Sequence, residues 1–206
     1  MNVSVSILKE YDNLKDVISK VNDSCADFLH VDVMDGKFVS NKKFEYKIYK
    51  ELFKLSKKPL DVHLMVNNIH TVKKYAKLKP DLLTFHCEII KNDKIIKYLK
   101  RKNIKVGLAI NPNTDINKLI PYLNNIDLIL IMSVNPGLPS QKFISDVLNK
   151  VDVLKQFDIS SKMLSIDGGV NDSNINLIKK YNFNMVVSGS YITDSNNYND
   201  KINGLR

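Results

Sequence analysis

The stretch His30-Val-Asp-Val-Met-Asp-Gly36 alternates valines with side chains that can take part in chemistry. Residues two apart in an extended strand share one face, so His30, Asp32 and Met34 lie together and the valines lie opposite. A buried strand seldom presents imidazole and carboxylate groups unless a partner compensates for their lost hydration. This stretch therefore predicts a β-strand that carries a functional site.

Two further stretches have the same character. In Asp61-Val-His-Leu-Met-Val66, the side chains of Asp61, His63 and Met65 lie on one face of a predicted strand. The stretch Ser165-Ile-Asp-Gly-Gly169 ends another strand at Asp167 and is followed by two glycines. Imidazole and carboxylate groups thus occur on three separate strands.

Short β-rich apolar runs recur along the whole chain and alternate with segments of helical spacing. Such alternation predicts parallel pairing, and eight units close a (β/α)8 barrel. The alternative, a doubly wound sheet, would have fewer strands and usually a glycine-rich first turn, which Ser6-Ile-Leu8 does not supply. We predict a single-domain (β/α)8 TIM barrel over residues 1–206 with an abbreviated last helix, and strands near 2–7, 27–34, 60–66, 81–86, 105–111, 127–134, 162–167 and 185–190.

Composition excludes several classes of protein. The net charge is +9, but the lysines are scattered and are not clustered with aromatic residues, so we expect a solvated surface and no nucleic-acid partner. No apolar run is long enough for a membrane span, and the N-terminus lacks the basic region of a secretory signal. Cys25 and Cys87 lack metal-site spacing and are expected to be reduced thiols of a cytoplasmic protein.

Active sites of such barrels lie at the carboxyl ends of the strands, where these polar residues fall. A lone strand histidine is usually a hydrogen-bonded core residue, but four potential ligands at one rim favour a metal. The set suits Zn²⁺ first, and also Fe²⁺, Mn²⁺ or Co²⁺. A cation would polarise substrate oxygens while two carboxylates exchange protons on opposite faces of the substrate. We therefore predict Asp32 and Asp167 as an acid–base pair, and a metal held by His30, Asp32, His63 and Asp167.

Two groups of residues near the same rim have a structural and a functional interpretation. Met34, Met65 and Met132 end strands, where they either fill the core or form a dry collar around a planar intermediate. The pairs Gly168-Gly169 and Gly189-Ser190 follow the last two strands. They are either simple turns or the phosphate-binding loops that this fold often carries there.

Taken in order, these motifs resemble the ribulose-phosphate 3-epimerase family. The resemblance spans nearly the whole chain and rests on long, specific stretches. These are Ser6-Ile-Leu8, residues 30–36, Phe38-Val39, residues 61–66, Phe85-His-Cys-Glu88, residues 107–114, residues 132–137, Gln141-Lys-Phe143, Asp167-Gly-Gly-Val170 and Gly189-Ser190.

The resemblance implies a barrel that interconverts D-ribulose 5-phosphate and D-xylulose 5-phosphate through a 2,3-enediolate. It assigns one divalent metal to the four predicted ligands and acid–base roles to Asp32 and Asp167. By the same resemblance, Ser6 touches the substrate. The pairs Gly168-Gly169 and Gly189-Ser190 hold the phosphate. We also predict that His63, Met34, Met65 and Met132 belong to the substrate site. Members of the family usually form homo-oligomers, which is therefore the expectation here.

Departures from the family pattern keep other interpretations open. The stretch Gly137-Leu-Pro-Ser-Gln141 stands where the family has a glycine-rich loop, and Ser40 replaces a proline. An epimerase for a phosphorylated hexulose, such as allulose 6-phosphate, is the alternative that tolerates such changes. A barrel that binds a sugar phosphate without turning it over is a second alternative. His86 is either a structural histidine or a neighbour of the ligands, and Glu88 shares its role.

Overall fold

The computed structural model describes residues 1–206, and its main feature is a closed parallel barrel of eight strands. Neighbouring barrel strands follow chain order, and pairing of the first with the second in parallel closes the sheet, which confirms the predicted single-domain (β/α)8 fold. All strands except β3 belong to the barrel. They are β1 (Asn2–Ser6), β2 (Phe28–Asp35), β3 (Lys42–Lys43), β4 (Leu60–Met65), β5 (Leu82–His86), β6 (Lys105–Ile110), β7 (Leu128–Met132), β8 (Met163–Asp167) and β9 (Met185–Ser188).

Strand β3 is a feature that the sequence pattern did not predict. It pairs antiparallel with the end of β2, with Met34 opposite Lys43 and Asp35 opposite Lys42. Two lysines carry no hydrophobic alternation, so this short strand has no signal in the sequence. The turn that leads to it is held by Asp35, whose carboxylate accepts the backbone N–H groups of Lys37 and Phe38.

Helices cover the outside of the barrel, and none of them is long and apolar enough to cross a membrane. The predicted helix after β6 is replaced by two 3-10 segments, Ile116–Lys118 and Ile120–Asn125. Pro121 explains the break, because proline disfavours the helical conformation of the residue before it. The helices are α1 (Leu14–Asp23), α2 (Tyr46–Leu55), α3 (Ile69–Tyr75), α4 (Lys94–Lys100), α5 (Asn149–Leu154), α6 (Ile175–Lys179), α7 (Ser190–Thr193) and α8 (Tyr198–Leu205).

The core has two layers that meet at the sheet. The larger layer packs the outward faces of the strands against the helices, and a separate cluster of eight residues lies inside the barrel on β5, β6, β7 and β9 and after β7. Polar side chains on β1, β2, β4, β5 and β8 are also buried inside the barrel. They include Ser4, Ser6, His30, Asp32, Asp61, His63, Thr84, His86 and Ser165. One side of the barrel interior is therefore built for polar chemistry.

Candidate active site

The parallel register of three strands brings the four predicted ligands together. Asp32 on β2 lies opposite His63 on β4, and Asp167 ends β8 at the same rim of the barrel. Oδ1 of Asp32 is 3.1 Å from both His30 Nε2 and His63 Nδ1. Oδ2 of Asp167 is 3.8 Å from His30 Nε2 and 3.7 Å from His63 Nδ1. Two imidazole nitrogens and two carboxylate oxygens therefore face one point.

The spacing of these four atoms fits a divalent cation. A tetrahedral ion with bonds of about 2.1 Å holds its ligand atoms about 3.4 Å apart. The four measured separations lie on either side of that value, and all four ligand atoms lie within 4.8 Å of one another. His30, Asp32, His63 and Asp167 can therefore hold a metal of the kind that accepts mixed nitrogen and oxygen ligands.

The ring of His30 is held from behind by a second carboxylate. Its Nδ1 lies 2.7 Å from Oδ2 of Asp61, which also accepts the hydroxyl of Ser4 at 2.9 Å. All three side chains are buried. When Nε2 of His30 faces a cation, its Nδ1 carries the proton and donates a hydrogen bond to Asp61. This hydrogen bond fixes both the tautomer and the orientation of the ring.

His63 is held by a chain of two further residues. Its Nε2 is 2.9 Å from Nε2 of His86, and Nδ1 of His86 is 3.2 Å from Oε2 of Glu88. The other oxygen of Glu88 accepts the backbone N–H of Asn111 at 2.9 Å. Burial lowers the pKa of His86 to about 4, and Glu88 opposes this shift only in part, so the ring of His86 is neutral. Its Nε2 can then accept a hydrogen bond from the Nε2–H of His63.

The two catalytic candidates differ sharply in acidity. Burial disfavours ionisation of Asp32, but the charges and hydrogen bonds of His30 and His63 outweigh it and hold the pKa of Asp32 well below its usual value. For Asp167, burial and the charge of Asp32 raise the pKa to about 6. One carboxylate is thus firmly ionised, and the other exchanges a proton near neutral pH.

A pocket with a cavity volume of about 260 Å³ opens above this cluster. This is close to the lower limit of about 300 Å³ for small-molecule sites, so it suits a small metabolite. Ser6, Asp32 and Asp167 reach it, and Ser6 also donates a hydrogen bond of 2.9 Å to Oδ2 of Asp32. Of the other residues predicted for substrate, Met65, Met132, Gly168, Gly169, Gly189 and Ser190 line the pocket, whereas His63 and Met34 do not.

The glycines after β8 are required by close packing. Gly168 has φ +122°, and a Cβ there would lie 2.5 Å from a methyl group of Val134. Gly169 has φ +66°, and a Cβ there would lie 2.7 Å from the carbonyl oxygen of Gln141. A side chain at either position would clash and would demand an unfavourable backbone conformation. These glycines let the chain pass between the pocket and the loop after β7.

The loop after β7 departs from the family pattern and forms part of the pocket wall. Pro139 supplies no backbone N–H, and Ser140 adopts φ +58° in the left-handed region that favours glycine. The loop is nonetheless tied down, because the side-chain amide of Gln141 donates to the carbonyl oxygens of Asn135 and Leu138 at 2.6 and 2.9 Å. Leu138 is 58% exposed at the mouth of the pocket.

Comparison with known proteins decides the family. A family model described as the ribulose-phosphate 3 epimerase family matches residues 2–193. The chain belongs to this family. The ribulose-phosphate 3-epimerase of Helicobacter pylori is 38% identical, with 100% of this chain and 97% of the relative covered. That of Bacillus subtilis is 32% identical, with 100% and 98% covered. Like these relatives, the chain is an isomerase of the epimerase type.

Solved structures of more distant proteins share the fold. KGPDC from Streptococcus mutans is 15% identical, with a TM-score of 0.70 and 99% of this chain and 94% of that chain covered. A 3-hexulose-6-phosphate synthase is 14% identical, with a TM-score of 0.66 and 100% and 98% covered. At such low identity the likeness concerns the barrel alone.

The sequence assigns no role to three residues of this candidate site. The strand alternation places Asp61 on the same face as His63, but it does not indicate that Asp61 pairs with His30 on the neighbouring strand. Ser4 gave no signal, because a serine in a strand is common. The sequence allows two interpretations of His86, and its contact with His63 favours the one in which it supports a ligand.

The partner of His30 leads to a prediction about metal affinity. Asp61→Leu removes the acceptor for the Nδ1 proton of His30 but preserves the approximate size of the side chain. We expect metal affinity to fall about 10- to 100-fold, as is usual when a partner of a ligand is lost. Asp61→Asn retains one acceptor oxygen and should lose less. Competition with a chromophoric chelator measures both values.

Ser165→Ala is the matched control for this experiment. Ser165 also lies buried inside the barrel, but its hydroxyl has no hydrogen-bond partner there. Its removal should leave metal affinity unchanged. If Asp61→Leu and Ser165→Ala behave alike, Asp61 does not support the ligand.

Proposed function

We propose that this epimerase inverts C3 of D-ribulose 5-phosphate to give D-xylulose 5-phosphate, through a 2,3-enediolate. The observation that carries the proposal is the pair Asp32 and Asp167. Both carboxylates reach one small pocket from different strands, and they have opposite pKa shifts. A reaction that takes a proton from one face of a carbon and returns one to the other requires such a pair.

The proton balance assigns complementary tasks to the two carboxylates. One carboxylate takes the proton from C3, and the electrons of the broken C–H bond move to the oxygen at C2, which gives the enediolate. The other, in its protonated form, then donates a proton to C3 from the opposite face, and the carbonyl at C2 is restored. Because Asp167 exchanges a proton near neutral pH, it can act as the base in one direction of the reaction and as the acid in the other.

The substrate is positioned by the rest of the pocket. A divalent cation, for which Zn²⁺ is our first expectation, would supply positive charge for the developing oxyanion at C2. Ser6 holds Asp32 in place through its hydroxyl. Met65 and Met132 present thioether side chains to the pocket and limit access of water to the intermediate. Gly168, Gly169, Gly189 and Ser190 line the part of the pocket proposed for the phosphate.

A coupled assay tests the proposal. The metal-loaded protein should convert D-ribulose 5-phosphate to D-xylulose 5-phosphate with many turnovers per site. Binding of this sugar phosphate without turnover would instead indicate a non-catalytic barrel. KGPDC from Streptococcus mutans, a barrel of the same fold, has been solved in complex with a sugar phosphate, which agrees with a ligand of this class. A homo-oligomeric state and a cytoplasmic location remain predictions.

The altered loop after β7 supports one alternative substrate. With Leu138, Pro139 and Ser140 in this wall, the pocket differs where the phosphate side of the substrate is expected to lie. A hexulose phosphate such as D-allulose 6-phosphate is then the rival. Assaying both sugar phosphates side by side decides between them, because a tenfold or greater preference for the hexulose phosphate would overturn the pentulose assignment.

A further inference from the structure

The side chains that line the pocket supply little positive charge for an anionic substrate. Three charged side chains line the pocket: Asp32, Asp167 and Lys9. Of the chain's 31 lysines and arginines, only Lys9 lines it. A phosphate monoester carries a charge of about −1.5 to −2 at pH 7. A divalent cation held by Asp32 and Asp167 would offset the charge of these two carboxylates, and Lys9 is the only lining side chain that adds positive charge for the phosphate.

Lys9 lies close to the proposed phosphate end of the pocket. It follows β1 in the chain, and the end of β1 touches the end of β9, since a Cβ at Gly189 would lie 3.3 Å from the carbonyl oxygen of Ser6. The Nζ of Lys9 contacts both carboxylate oxygens of Asp194, at 2.5 and 2.6 Å. Asp194 directly follows α7, whose first residue is Ser190, and its backbone N–H donates to Ser190 at 3.0 Å.

The ion pair of Lys9 is easily exchanged. Its two side chains are 42% and 51% exposed, and exposed ion pairs contribute little to stability. Asp194 itself does not line the pocket, whereas Lys9 does. Lysine has a long flexible stem with a compact charge, so its ammonium group can move between neighbouring anions. A phosphate dianion carries more charge than a carboxylate and competes well for it.

We propose that Lys9 binds the phosphate of the substrate by exchanging its partner Asp194 for the phosphate group. The inference rests on the proposed function only in taking a sugar phosphate as the ligand. Asp194 then acts as a competitor that holds the ammonium group at the pocket when no substrate is bound. The alternative role for the pair is purely structural, as a tie between the loop after β1 and α7.

Two substitutions separate these roles because they have opposite expected signs. Lys9→Met should weaken binding of inorganic phosphate about tenfold and raise KM for D-ribulose 5-phosphate by a similar factor, with kcat changed less than about twofold. Asp194→Asn frees Lys9 and should tighten phosphate binding about two- to fivefold. Titration calorimetry with inorganic phosphate measures binding without any turnover. Its result is therefore independent of whether the epimerase assay succeeds.

The exposed pair Lys20–Asp16 on α1 provides matched controls. Lys20→Met and Asp16→Asn make the same changes of charge away from the pocket, and phosphate affinity should stay within about twofold of the wild type. Lys9→Gln repeats the test with a polar side chain. The proposal is overturned if Lys9→Met leaves phosphate affinity unchanged, if both members of the pair weaken it alike, or if the wild type binds neither phosphate nor the sugar phosphate.

Discussion

Replacing Asp167 by asparagine is expected to lower kcat for epimerisation by at least about a hundredfold, the effect of losing a general acid or base. Asparagine keeps the shape of the side chain but cannot carry the proton to or from C3. Asp32→Asn should have a loss of at least the same size, because Asp32 is also a ligand candidate at 3.1 Å from both imidazoles. Steady-state kinetics with saturating metal measures both losses.

The metal-free Asp167→Asn protein should remain folded. Burial and the charge of Asp32 raise the pKa of Asp167 to about 6 in the folded protein. Ionisation of this group therefore lowers the stability of the folded state as the pH rises from the usual pKa of an aspartate through about 6. The neutral amide removes that cost, and the melting temperature above pH 6 should not fall. Asp152→Asn, in an exposed pair with Lys155, is the control for a remote aspartate and should retain full activity. Near-normal kcat in Asp167→Asn or Asp32→Asn would refute the acid–base role of that residue.

His30→Ala and His63→Ala should each abolish stable metal retention. Both rings are completely buried, and each contributes one of the four atoms that face the candidate metal position. Loss of a ligand removes a coordination bond outright, so the fall in affinity should exceed the 10- to 100-fold typical of losing a ligand's outer partner. Elemental analysis after dialysis measures the metal content. Activity should be lost with the metal and should not return at micromolar Zn²⁺.

The chain provides a matched control for these substitutions in its only exposed histidine. His70 lies on α3, whereas His30, His63 and His86 are all buried at the cluster. His70→Ala should retain both metal and activity. Because an emptied core position also costs stability, each variant needs a melting curve. A folded His30→Ala or His63→Ala protein with the wild-type metal content would show that the metal binds elsewhere.

The barrel could be predicted because the hydrophobic patterns of its strands and of its helices are both visible in the sequence. Buried parallel strands read as short apolar runs, and the segments between them repeat apolar residues at helical spacing. The prediction failed where that signal is absent or is overridden. The two lysines of β3 have no hydrophobic pattern. After β6 the chain buries Ile116 and Leu123 in 3-10 segments, and Leu119 in the turn between them, instead of forming an α-helix.

The four ligand candidates could be predicted for a related reason. His30, Asp32, His63 and Asp167 are polar residues inside strands that otherwise read as apolar, and the ends of parallel strands meet at one rim. Their supporting residues could not be predicted, because they depend on register across strands. The contact of His86 with His63 requires that β5 aligns Thr84 with His63, and the sequence does not state that alignment.

The position of Met34 shows a similar limit. The alternation of β2 places it on the same face as Asp32, and the structure buries it with Met65 opposite, yet only Met65 lines the pocket. The backbone of Met34 also pairs with Lys43 of β3. An unpredicted strand thus lies next to the one rim methionine that is closed off from the pocket.

Deuterium incorporation from heavy water tests the central claim most directly. The metal-loaded protein, incubated with D-ribulose 5-phosphate in D₂O, should place solvent deuterium at C3 of the D-xylulose 5-phosphate formed. The same protein stripped by a chelator should incorporate none until metal is restored. Equal exchange at C3 without metal, or epimerisation with no deuterium in the product, would contradict the account of a cation and two aspartates acting on one carbon.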